Sequence, residues 1–346
     1  MEPVAHRPRI KNMRLKLALA LALLCCAQNA SAQLKPRIPE ADRVRLAEAF
    51  RLGDTLGDRI WKGWGKAPFA VLLVTPGGEF LMRHPKPPQD FAAVGQDPLL
   101  RGEVFFRKRT LNPNLLATFP VGGVPTIVIG QAENTSAKTS TPWVVTVLHE
   151  HFHQLQNSQP DYYDAVGGLN LSRGDQTGMW MLNFAFPYTD AEVKRRFEAL
   201  SKLLAEALQA RGKKNFSATL VRYLEVRRAF ASSLTPDDYR YFSFQAWQEG
   251  VARYTEYRVA EWAAKSYKPT KEFRALKDYT PFAEVAERSH QDLLSELTTL
   301  HLEGYGRVAF YPLGAGEGLL LDRVNRRWRD RYFADKFYLE KYFGAR

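Results

Sequence analysis

Apolar residues recur every three to four positions along most of the chain, and between about residues 67 and 130 that spacing shortens toward two. After a proline-rich entry (Pro36, Pro39), the spacing predicts an amphipathic helix from Glu40 to about Trp64. "APFAVLLVTPGGEFLMRHP" then predicts two strands joined at Pro76-Gly77-Gly78, with further strands in "GEVFFRKR" and "VPTIVIG". Each is short, β-branched or aromatic, and bounded by Gly or Pro. From Pro142 onward the helical period predominates, with helices predicted at 142 to 157, 190 to 211, 215 to 232, 237 to 266 and 281 to 303, and a C-terminal pair beginning near Gly314. The stretch "PDYYDAVGGLNLSRGDQTGMWMLNFAFPY" is irregular and rich in Gly and aromatics, and no internal repeat is present. The pattern predicts an α+β fold in one two-lobed unit, residues 33 to 346. A mostly antiparallel sheet lobe with its helices spans 33 to 158, and a helical lobe spans 159 to 346.

The first 32 residues stand outside this pattern. "MRLKLALALALLCCAQNASAQ" has a basic start (Arg14, Lys16), an apolar run to about Ala27 and small residues at Ala30-Ser31-Ala32, which predicts an export signal cleaved after Ala32. The exported chain would be periplasmic or secreted. The apolar run is shorter than the about 20 residues a spanning helix needs, and no later segment reaches that length. Both cysteines, Cys25 and Cys26, fall inside the signal, and Leu24-Cys25 does not offer the small residue expected before a lipidated cysteine. The remaining 314 residues therefore contain no thiol, so a disulfide, a cysteine nucleophile and a thiolate-ligated metal are all excluded there. Net charge is +12, and removing the signal's five basic residues and one acid leaves +8. That excess suits contact with acidic surfaces without naming a partner, and nucleic acid is not expected. In the most basic stretch, "DRVNRRWRDRYFADKFYLEKYFGAR", the pattern predicts an amphipathic helix with its aromatics inward and its arginines in water.

The chemistry concentrates in "HEHFHQ", residues 149 to 154. As a strand, the segment would set His149, His151 and His153 on one face; as a helix, only His149 and His153 share a face. Thr141 and Pro142 suit a helix start, and Val144, Leu148, Phe152 and Leu155 recur at helical spacing, whereas neither strand face is cleanly polar. In the helix, two imidazoles one turn apart can meet one metal ion. Glu150 falls beside them, off the metal but near a water it could deprotonate as general base. His151 points to nearly the opposite side and is expected to be a core histidine. A catalytic zinc wants a third protein ligand. In "FSFQAWQEGVARYTEYRVAEW", Glu249 lies among Phe242, Phe244, Trp247, Val251 and Tyr254, where burial of an unpaired carboxylate is costly unless a cation compensates it. Gly250 beside it predicts close approach of another element, expected to be the helix carrying the histidines.

"HEHFH" followed by "WQEGVARY" resembles the gluzincin metallopeptidases, the aminopeptidase N-like or peptidase MA-like group, in which an HExxH helix precedes a Trp-x-x-Glu-Gly-x-Ala ligand helix. The resemblance implies a zincin-like fold with the metal site between the lobes. It also implies zinc (Zn2+) held by His149, His153 and Glu249, Glu150 as catalytic base, and a peptide or protein substrate. The gap between His153 and Glu249 is longer than in aminopeptidase N, so substrate preference does not carry over. It further implies a sheet edge above the metal, for which "VPTIVIG" is the candidate, and an oxyanion-stabilising side chain from the helical lobe, assigned to Tyr311 with Tyr305 and Tyr254 as rivals. "GQAEN" is similar to the segment that binds a free amino terminus in such aminopeptidases, giving Glu133 that candidate role. Glu256, seven residues past Glu249, is placed to orient a ligating histidine. The expectation is an exported zinc-dependent peptidase. Its rival is a non-catalytic binding protein on the same scaffold, holding an anionic partner on its basic surface.

Overall fold

The computed structural model describes residues 35 to 344, so the predicted signal, with Cys25 and Cys26, lies outside the described residues. From Ile38 onward the described chain forms one unit. Helix α1 spans Glu40–Ile60 and ends four residues short of Trp64, which begins a single turn of 3-10 helix. Six strands follow: β1 (Val71–Thr75), β2 (Gly78–Met82), β3 (Ala92–Asp97), β4 (Gly102–Arg107), β5 (Leu116–Val121) and β6 (Val124–Gly130). They form one mixed sheet in the order β3-β4-β2-β1-β6-β5, with β1 and β6 parallel and the other four pairings antiparallel. The longer helices after the sheet are α2 (Ser140–Asn157), α3 (Ala191–Gln209), α4 (Phe216–Ser233), α5 (Pro236–Gln245), α6 (Val251–Ser266), α7 (Phe282–Thr299) and α8 (Phe310–Val324). Among the described residues no helix is long and apolar enough to cross a membrane.

Alternation along β1 divides its side chains between two cores. Val71 and Leu73 join the main core under the helices, while Leu72 and Val74 pack with Leu81, Phe91 and Val128 on the other face. Both faces are covered, which accounts for the continuous apolar run "VLLV". Helix α2 lies against β5, β6, α1 and α6, and all but two of its first seventeen residues are buried. Its periodicity is blunt because nearly every side chain meets protein, even the polar ones: Gln154 donates to the carbonyls of Ala70 and Pro125, tying the helix to the sheet. The N-cap position is Thr139, not Thr141, whose hydroxyl instead donates to the Thr280 carbonyl.

Three expectations are corrected. "VPTIVIG" is not a sheet edge, because β6 is paired on both sides; the edge is β5, a strand not expected from "LATFPV". Strands β5 and β6 join through Gly122 and Gly123, both at positive φ, the conformation of a tight hairpin turn. Gly250 does mark a close approach, but to α8: a Cβ on it would stand 2.5 Å from the Gly314 Cα. The basic C-terminal stretch is not one amphipathic helix. Its first three residues end α8; beyond them it contains only single turns at Trp328–Arg331 and Lys341–Gly344, and Phe337 holds φ +73°. Its aromatics do turn inward: Tyr332 stacks on Trp247 with ring centroids 4.4 Å apart, and Trp328 and Tyr342 are buried.

Candidate metal centre

Two structural features bring the three candidate ligands together. His149 and His153 lie one turn apart on α2, their ring centroids 5.0 Å apart. The helix predicted over 237 to 266 is interrupted between α5 and α6 by a π turn, Ala246–Gly250, which carries Glu249. Such single widened turns displace a side chain from the regular helical progression and recur at functional sites. Glu249 Oε2 lies 3.4 Å from His153 Nε2 and 3.9 Å from His149 Nε2, and the ligand atoms of all three residues fall within 4.8 Å of one another. A tetrahedral ion with bonds of about 2.1 Å sets its ligand atoms roughly 3.4 Å apart. The group could hold a metal ion with small side-chain adjustments, and two imidazoles with one carboxylate make a donor set suited to a first-row divalent metal.

The outer nitrogens of both imidazoles are engaged. His149 Nδ1 is 3.3 Å from Glu256 Oε2, on α6. His153 Nδ1 is 2.6 Å from Gln156 Oε1, and that amide's orientation follows from its other end: Gln156 Nε2 lies 3.0 Å from the Gln248 carbonyl, which can only accept. Gln156 therefore presents oxygen to His153; the Gln248 amide nitrogen also approaches Nδ1, at 3.2 Å, but the 2.6 Å contact with Gln156 is the shorter and favours a proton on Nδ1, which in the neutral ring turns the Nε2 lone pair toward Glu249. Tyr332 completes the chain, receiving a second bond from Gln156 Nε2 and donating to the Trp247 carbonyl. In the metal-free arrangement burial favours neutral His153, but the Glu249 and Glu150 carboxylates outweigh it and raise the pKa to about 9. Burial likewise favours protonated Glu249, but His153, His149 and Arg307 outweigh it and bring the carboxyl down to about 2. The pair thus holds one proton between Nε2 and the carboxylate, where a cation would substitute for it.

Glu150 is buried beside this group, and Thr118 of β5 donates its hydroxyl to Glu150 Oε2 at 2.8 Å while touching the Glu150 carbonyl at 2.9 Å. The contact sets the sheet edge directly over the candidate site. Pro120 and Pro125, neither with an N–H, stand opposite one another, and Gly130 N donates to the Leu115 carbonyl. The alternation of an antiparallel ladder then turns the N–H and C=O groups of Leu116 and Thr118 away from β6, toward the free edge.

Other candidates separate clearly. His151 packs flat on Phe69 with centroids 3.7 Å apart and bonds Gln154; burial pushes its pKa down to about 3, leaving a neutral core imidazole. Tyr311 is hydrogen-bonded to Arg307 and lies beside Glu249, and burial together with that carboxylate raises its pKa well above the ordinary value. Tyr254 donates to Asp322 and faces elsewhere; Tyr305 is exposed. Glu133 pairs with Arg45, whose Nε donates to Ser140. Ser140 lies nine residues before His149, about 13 Å along the helix, so Glu133 is not at the metal group. Sequence reasoning missed Thr118, Gln156, Gln248 and Arg307. Only Gln156 had a local signal, its i+3 spacing from His153.

Compared with known proteins, the chain matches no family model, no curated protein and no solved structure.

Proposed function

We propose that this chain is an exported zinc-dependent peptidase of zincin type, hydrolysing peptide bonds with Glu150 as general base. The observation that carries the reading is the convergence of His149, His153 and Glu249 with a fourth group, Glu150, that is close to the ligands but bonded to Thr118. A zinc ion held by the three ligands would supply Lewis acidity, lowering the pKa of water and polarising a carbonyl. Glu150 takes the proton from the attacking water and returns it to the leaving amine. Thr118 holds that carboxylate in place. Tyr311, beside Glu249, donates to the oxygen on which charge develops, and the guanidinium of Arg307 next to it favours the same charge. The outward-turned backbone groups of Leu116 and Thr118 suit an extended peptide added along β5, which supports peptide over other amides. The test is Glu150→Gln, expected to retain about one zinc per chain while losing hydrolysis of a peptide library by at least about 100-fold. A variant as active as the wild type removes the reading.

A further inference from the structure

A concavity of about 500 Å³ lies where the chain leaves α3 and meets α6 and α8. Three arginines line it: Arg211 after α3, Arg258 on α6 and Arg323 on α8. Its two acids are already engaged. Glu261 pairs with Arg258 and with Lys265 at 2.7 Å, and Asp322 accepts from the Tyr254 hydroxyl at 2.8 Å and from Trp328 Nε1 at 3.0 Å. Arg211 and Arg323 form no ion pair among the described residues; Arg211 spends only its Nε, on the Leu208 carbonyl at 3.1 Å. Arg258 is held between the two acids, its Nη1 on Glu261 and its Nε 3.8 Å from Asp322 Oδ2. The field of Arg211 also reaches inward, adding to burial in holding the His290 imidazolium below its ordinary pKa.

An unspent guanidinium presents a planar fork of donors that matches the oxygens of phosphate. Two such groups, Arg211 and Arg323, face a cavity in the 300 to 1,000 Å³ range of small-molecule sites, and two separate forks match two linked phosphates better than one inorganic phosphate. Tyr257 and Leu319 give the same cavity an apolar wall for the rest of a molecule. We propose that the concavity between α3, α6 and α8 binds a small molecule bearing two or more linked phosphate groups. The site shares no residue with the His149, His153 and Glu249 group and does not depend on the peptidase reading.

The test is calorimetric titration of the full chain with inorganic pyrophosphate, on wild type and on the double variant Arg211→Gln/Arg323→Gln. Arg323 is exposed and Arg211 half-buried, and the variant's thermal midpoint and metal content serve as checks on its fold. The expected result is saturable one-to-one binding that weakens by at least about tenfold in the double variant, and further with Arg323→Glu. Pyrophosphate held elsewhere, at the metal group for instance, would bind the variant as tightly as the wild type; that result overturns the proposal. Absence of pyrophosphate binding overturns it too, even if the protein adheres to phosphatidylglycerol vesicles, because that would be a membrane surface effect and not a site for a small molecule.

Discussion

Substituting Gln156 by Leu removes the group that sets the His153 tautomer while keeping a side chain of similar size. Gln156 is fully buried and makes three hydrogen bonds: to His153 Nδ1 at 2.6 Å, to the Gln248 carbonyl at 3.0 Å and to the Tyr332 hydroxyl at 2.8 Å. Tyr332 retains its bond to the Trp247 carbonyl at 2.7 Å and His153 Nδ1 keeps the Gln248 side-chain amide 3.2 Å away, so the Gln248 carbonyl is the partner that loses Gln156 outright, and a stranded buried polar group costs about 1 to 3 kcal/mol. The expected loss of stability is therefore about 1 to 3 kcal/mol. Losing a histidine's outer hydrogen bond typically weakens metal affinity about 10- to 100-fold. Chelator competition on protein shown folded by circular dichroism separates the two effects. A Gln156→Leu protein that is destabilised yet binds metal with unchanged affinity would refute the tautomer argument, leaving Gln156 only a packing role.

Two further expectations follow from the same geometry. The raised His153 pKa contributes stability to metal-free protein that is fully present below about pH 6.5 and lost as pH rises through about 9, on the order of 3 kcal/mol; the lowered Glu249 pKa contributes above about pH 4.5 and is lost toward about 2. Thermal melts of chelated protein should thus weaken between pH 6.5 and 9, and metal-loaded protein should not show that fall, since the ion has displaced the proton; a flat chelated profile contradicts it. Gly314→Ala places a Cβ 2.2 Å from the Ala246 carbonyl oxygen and 2.8 Å from the Gly250 Cα, backbone that cannot swing away. It should cost about 1 to 3 kcal/mol or more and weaken metal binding by shifting the π turn under Glu249. Gly316→Ala, which meets the movable Leu204 side chain, should leave metal affinity unchanged.

What was legible in the sequence was the local part. The spacing of His149, Glu150 and His153 is set by one helix turn, and the cost of burying Glu249 among aromatics pointed to a partner before any partner was seen. The hairpin at Pro76 and Gly77 was equally local. What joins distant segments was not legible. The chain from His153 through Gln156 to the Gln248 carbonyl and Tyr332 links three regions of sequence, and no periodicity announces it. Gly250 signalled a close contact but not with which element, because a missing Cβ carries no direction. Strand β5 was hidden because among the described strands it neighbours β6 alone, so its residues are half-exposed and show no alternation of buried and exposed positions. The C-terminal aromatics satisfied a helical spacing, yet Trp328 and Tyr332 join one cluster with Trp61 and Trp247, and Phe337, at positive φ, turns the chain after them.

The most direct measurement is metal content. Protein purified without chelator, and apoprotein reconstituted with zinc, should each hold about one zinc per chain by plasma mass spectrometry. His153→Ala and Glu249→Ala, shown folded, should hold far less, and His151→Ala, if folded, the full amount. Folded wild-type protein that takes up no metal, or a Glu249→Ala protein that retains it at wild-type affinity, would contradict the account.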